Sequence, residues 1–206
     1  MGELTITTFL TIDGVMQAPG GPTEDTSGGF AHGGWVFPYA DEDFGKIIVD
    51  IFSKADAFLL GLTTWEIFAG YWPKVTDPAD PVAGKLNGLP KFVASQTRTA
   101  FPWNDSHLVR DAAAEVPALK ARFAGELQVH GSGALAQTLI QNDLIDEYRL
   151  LTFPVLLGSG KRLFGSGTVP AAMRLVRTAT TAAGVVFSVY RRDGALRTGS
   201  FDLPQQ

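Results

Sequence analysis

The chain has 206 residues, with 17 basic against 21 acidic side chains and a net charge of -4. An apolar content of 45% with 18% charged residues excludes a disordered chain, and the lack of cysteine excludes disulfide scaffolds, thiol nucleophiles and zinc ribbons. The mildly acidic balance argues against a nucleic-acid or anionic-membrane surface, while glycine, at 23 residues, is in excess.

The start, Met1-Gly2-Glu3-Leu4-Thr5, has no basic region, and no apolar run approaches the ~20 residues that span a bilayer, so a cytoplasmic protein is expected. Leu4 to Ile12 alternates and is rich in Thr, Ile and Phe, which predicts a strand. A glycine-dense loop follows, with Gly14, Gly20, Gly21, Gly28, Gly29, Gly33 and Gly34, and loops of such length are usually functional. Trp35 closes it. Phe44, Ile47, Ile48, Ile51 and Phe52 then form an apolar stripe at helical spacing, with Asp41 or Asp43 as its cap.

Ala57 to Leu60 reads as a buried strand ending at Gly61, and Thr63-Thr64-Trp65-Glu66 matches a capping box that opens a short helix. Lys91 to Ser95 and His107 to Arg110 are further strands. Val116, Leu119 and Phe123 mark a helix with Pro117 in its first turn. Leu127 to His130 predicts a strand that runs into Gly131-Ser132-Gly133 and a helix from Ala134 to Asn142. Ile145 to Phe153 is another strand, followed by the loop 154–160. Met173 to Thr178 and Val185 to Arg191 close the chain as an antiparallel hairpin around Ala183-Gly184. The alternation predicts an α/β fold with a mostly parallel sheet, one domain over 1–193 and a flexible tail over 194–206.

Three strand-to-helix or strand-to-loop junctions carry small and hydroxylated residues. At Gly131-Ser132-Gly133-Ala134, glycine lets the backbone approach a ligand and helix N–H groups attract phosphate, although the same residues also suit a ligand-free turn. The fit to a dinucleotide fingerprint is offset by its late position and by Asp146 and Glu147 preceding the next strand, which disfavours a Rossmann domain. Gly61-Leu62-Thr63-Thr64 and Ala94-Ser95-Gln96-Thr97-Arg98 are the other two, and all three belong on the carboxyl edge of one sheet. His32, His107 and His130 form no triad or metal spacing, and Ser132 lies in no nucleophile elbow. His130 reads as a packing residue.

In this order the junctions, with Thr11-Ile12-Asp13-Gly14 and the run from Pro154 to Phe164, resemble the dihydrofolate reductase-like superfamily. The resemblance is strongest to the reductase domain of riboflavin biosynthesis, the RibD C-terminal domain-like family, and its small stand-alone bacterial members. It implies a three-layer fold with about eight strands, bound NADPH, and hydride transfer to a small heterocyclic or carbonyl substrate. That substrate would be the phosphorylated aminopyrimidine 5-amino-6-(5-phosphoribosylamino)uracil or a dihydrofolate-like ring. By the resemblance, Gly61, Thr63 and Thr64 face cofactor phosphates, and Ser95, Gln96 and Thr97 the adenosine end. Gly131, Ser132, Gly133 and Ala134 cradle the diphosphate. Asp13 and Asp43 are the catalytic candidates, with Asp41 beside Asp43 as an equal; the alternative roles are a turn beside Gly14 for Asp13 and ordinary helix-start acids for Asp41 and Asp43. Trp35, Phe44, Leu156 and Gly158 border the substrate, and the glycine loop forms a mobile wall over the nicotinamide. The resemblance also implies a homodimer; no metal is expected, because the chain has no cysteine and no metal-ligand spacing. Leu62 stands where the family commonly has arginine, so NADH is an alternative cofactor, with Arg98 as a substitute cation. A non-catalytic nucleotide-binding protein is the competing class.

Overall fold

The computed structural model describes residues 2–201. Alternating strand and helix signals become strands β1 (Glu3–Thr11), β2 (Ala55–Gly61), β3 (Lys91–Ala94), β4 (Ser106–Val109), β5 (Glu126–His130), β6 (Glu147–Phe153), β7 (Met173–Thr180) and β8 (Val186–Arg192). They form one sheet in the order β4-β3-β2-β5-β1-β6-β8-β7. The six strands from β4 to β6 in that order are parallel; β8 is antiparallel to β6, and β7 to β8. Parallel neighbours need crossovers, and helices supply them. These are α1 (Glu42–Ser53), α2 (Leu62–Tyr71), α3 (Pro81–Gly88), α4 (Ala112–Ala121) and α5 (Gly133–Gln141).

Side-chain alternation divides the core between the two sheet faces. Leu4, Ile6, Leu59, Leu127 and Val129 pack under α4 and α5. On the other face, Leu151, Phe153 and Phe187 meet α1, while Phe58, Leu60 and Val93 meet α2 and α3. The result is a three-layer arrangement with a mostly parallel sheet and a C-terminal antiparallel hairpin, as expected.

Local chemistry explains the helix starts, and corrects several of them. Asp41, not Asp43, caps α1 by accepting from the Phe44 N–H at 2.8 Å. The Thr63–Glu66 capping box does not form: α2 starts from Gly61 with no side-chain cap, and Glu66 instead pairs with Arg98 at 2.6 Å. α4 begins earlier than its apolar residues suggest, with Asp111 as cap, so Pro117 lies inside the helix. α3 is absent from the sequence reading, although Asp80 as cap and Pro81 at its first position mark it. Residues 194–201 are exposed and without regular structure; the rest of the expected tail lies outside the described residues.

The glycine loop is a wall with many fixings. Val15 bridges antiparallel to Arg162, and Val15, Ala18 and Phe30 form a small apolar core of their own. Gln17 donates to the carbonyls of Asp25 and Ser27 and accepts from the Lys161 N–H at 3.0 Å. These bonds replace the expected mobile segment with a braced one. Gly160, at φ +127°, is required where the second loop crosses this core, because a Cβ there would lie 2.6 Å from Val15 Cγ1.

Candidate functional site

The carboxyl ends of β2, β3, β4 and β5 open onto one cavity of about 1700 Å3. Its floor is built from two helix N-termini. α2 and α5 both begin without a side-chain cap, whereas α1, α3 and α4 are each capped by an aspartate. Uncapped first-turn N–H groups carry partial positive charge and need acceptors, so two such ends on one cavity favour an anionic group.

The junctions hold each other in place. Gly131 and Ser132 take left-handed conformations, at φ +52° and +57°, which turns β5 sharply into α5. Ser132 Oγ donates to the His130 carbonyl and accepts from the Gly61 N–H at 2.9 Å. The Ser132 N–H in turn donates to Thr64 Oγ1 at 3.1 Å. Ser132 therefore fastens the two helix starts together across the gap between β2 and β5. No sequence motif announces this pairing, since 71 residues separate Gly61 from Ser132.

All ten residues expected at the cofactor line this cavity: Gly61, Thr63, Thr64, Ser95, Gln96, Thr97, Gly131, Ser132, Gly133 and Ala134. Of the expected substrate residues only Phe44 does. Trp35 is buried beneath the wall, its ring edge against Phe153 at 5.3 Å and its Nε1 donating to the Gln17 carbonyl. Leu156 and Gly158 are exposed and off the lining.

None of the catalytic candidates reaches the cavity lining. Asp13 accepts from Thr11 Oγ1 at 2.6 Å and from the Leu157 and Gly158 N–H groups. The Thr11 hydroxyl, aided by those backbone donors, holds its carboxyl down at about 2. Asp13 is thus a clamp between two loops. Asp43 sits in the exposed first turn of α1, 3.5 Å from Lys46. Arg98 lies off the lining too, paired with Glu66 and stacked over the Trp65 ring.

The cavity presents further groups, among them Glu24 and Arg110, to which the sequence assigned no role. Arg110, just beyond β4, stands beside the Ser95–Thr97 segment and donates to the Ser95 carbonyl at 3.0 Å. Lys161 pairs with Asp25 at 2.6 Å. Glu24 lies in the glycine wall, where burial raises its carboxyl above the usual value even though the Gly20 and Gly21 N–H groups bond to it. His130 stacks on Phe52 at 4.3 Å and is pushed down to about 3 by burial, with Arg149 adding to the shift, so it is neutral at physiological pH. The hydroxyls of Thr7 and Thr8 are buried without a partner, and both residues are on the lining. Among the described residues, no cluster of three or more His, Asp or Glu could hold a metal, and no helix is long and apolar enough to cross a membrane.

Comparison with known proteins agrees with this fold. Residues 3–187 match the RibD C-terminal domain family. An uncharacterized protein, YyaP, from Bacillus subtilis (strain 168) is 29% identical over 188 residues, which covers 90% of this chain and 92% of that one. Among solved structures, a protein provisionally assigned to riboflavin biosynthesis from Shewanella sp. PV-4 superposes with a TM-score of 0.70 at 21% identity, covering 93% of this chain and 99% of that one. A pyrimidine reductase-like protein from Corynebacterium diphtheriae gives 0.60 at 13% identity, with coverage of 93% and 92%. Dihydrofolate reductase from Enterococcus faecalis, in a complex with NADP(H), gives 0.59 at 12%, with coverage of 93% and 96%. The fold is therefore dihydrofolate reductase-like, and the chain belongs to the RibD C-terminal domain family.

Proposed function

We propose that the protein is an NAD(P)H-dependent reductase that transfers a hydride to a small heterocyclic or carbonyl substrate. The observation that carries this reading is the pair of uncapped helix N-termini, α2 and α5, on the floor of one cavity. Their free N–H groups suit a diphosphate. The Ser95–Thr97 segment and Arg110 stand at the adenosine end. A bound nicotinamide supplies the hydride. The chain contributes orientation, a water-poor apolar wall and a proton, for which Glu24 is the carboxyl we assign, since Asp13 and Asp43 lie elsewhere. The reading of a nucleotide-binding protein without catalysis draws on that same displacement of both expected acids.

Titration with NADPH and NADH, followed by thermal unfolding, tests the reading. Ligand at 100 times its dissociation constant adds about 2.7 kcal/mol of stability. Arg110→Ala is expected to weaken NADPH about five- to tenfold and NADH much less, because only the former carries a 2′-phosphate for a guanidinium. Glu24→Gln should leave NADPH affinity intact and lower turnover about a hundredfold, the scale of general acid catalysis. No stabilisation by either nucleotide would refute both readings; binding without turnover of any carbonyl or heterocycle would favour the non-catalytic one.

A further inference from the structure

The cavity has a second half, whose charge is unlike the first. Its walls are α1, α2 and the residues leading into α3. Phe44, Phe52, Phe68, Tyr71 and Trp72 supply five rings, with Ile48 between them. Asp77 and Asp80 stand at the rim. Each spends Oδ1 on backbone N–H groups, Asp77 on Ala79 and Asp80 on Val82 and Ala83, which leaves Oδ2 uncommitted.

No cation lines this half. The cavity's two cations are Arg110, beside Ser95, and Lys161, already paired with Asp25 in the glycine wall. Lys46 and Lys74 are near in the chain but off the lining, and Lys46 holds Glu42 at 2.8 Å. An anion brought among these rings would lose its water, find no positive partner and meet two carboxylates. A ring system would replace water over the aromatic wall at a gain, and a positive charge at its outer end would be attracted to the rim.

We infer that this half of the cavity takes a flat, ring-bearing substrate that is neutral or cationic, with no phosphate or carboxylate at the end held there. The inference rests on reading the other half as the nucleotide site. It sets the protein apart from a reductase of a phosphorylated sugar amine, and from one whose substrate ends in carboxylates. Both need a cation that these walls lack.

Three naphthalene probes of matched size test it: 1-naphthylethylammonium, 1-naphthylacetate and 1-naphthyl phosphate, titrated by calorimetry into the protein with and without NADPH. The ammonium probe should bind about tenfold or more tighter than either anion, the scale set by like-charge juxtaposition. Added salt should shrink that ratio. Asp77→Asn should shrink it as well, and Phe68→Ala should weaken all three probes by placing them in this chamber. Equal or tighter binding of an anion overturns the inference. So does a ratio that neither salt nor Asp77→Asn changes, or failure of all three to bind at millimolar concentration. NADPH affinity is read on the same samples. No binding of NADPH while the charge preference persists removes the nucleotide reading, and with it the assignment of the probes' site to a reductase substrate, whereas NADPH binding without the preference overturns this inference alone.

Discussion

Lys91 shows how one buried charge can set a pH dependence. Its side chain is fully buried, with Nζ donating to the carbonyls of Leu86 and Leu89 at 2.8 Å and lying 4.6 Å from the Trp103 ring centre. Two carbonyls at the end of α3 thereby find a donor. Burial nevertheless dominates and lowers the amine from 10.5 to about 8. The unfolded chain therefore binds more protons than the folded one between those values, so stability rises as pH increases from about 8 to about 10.5. Urea midpoints measured across that window should move upward, by up to about 3 kcal/mol in unfolding free energy. Lys91→Met should be less stable at neutral pH, because two carbonyls lose their donor, and should lack the rise.

Among the elements, the central strands are held at their amino ends by a charged lattice. Arg149 on β6 is sandwiched between Glu126 of β5 and Glu147 of its own strand, with contacts of 2.6 Å to each. Arg191 on β8 joins Glu147 to Glu3 of β1. Four strands are thus cross-linked in one register. Arg149→Met leaves Glu126 and Glu147 buried with half their partners, and should cost about 3 kcal/mol in a denaturant titration. Arg191 still answers Glu147, so the fold should survive. This lattice was invisible in the sequence because its members are spaced by topology. Periodicity, in contrast, revealed β1, α1 and β5 almost to the residue, because each buries a continuous apolar face. α3 escaped because a short helix with a weak stripe resembles a loop; its cap and proline were the available signal. The Thr63–Glu66 pattern misled for a different reason. Thr64 accepts from the Ser132 N–H, and Glu66 is drawn to Arg98.

For the whole molecule, the sheet ends on an unpaired edge. β7 is exposed along nearly its full length, and Leu175 and Val176 remain 48% and 46% accessible. An open edge with apolar side chains invites pairing with another chain. The homodimer proposed for this protein should appear as twice the 22.0 kDa chain mass in sedimentation equilibrium. Leu175→Lys, at an exposed position, should shift that equilibrium toward monomer by charging the edge.

The sequence by itself determined the layered α/β fold, the three junctions and the ten residues expected at a cofactor, all of which line the cavity. Strand periodicity and glycine at strand ends are local properties, legible without neighbours. Tertiary structure decided what the cavity can do elsewhere. It removed Asp13, Asp43, Trp35 and Arg98 from the lining and brought in Glu24 and Arg110. It also walled the part of the cavity beside α1 and α2 with rings and two aspartates. The physical reason is that a site's charge depends on which side chains converge across the fold. Residue spacing along the chain does not encode that convergence.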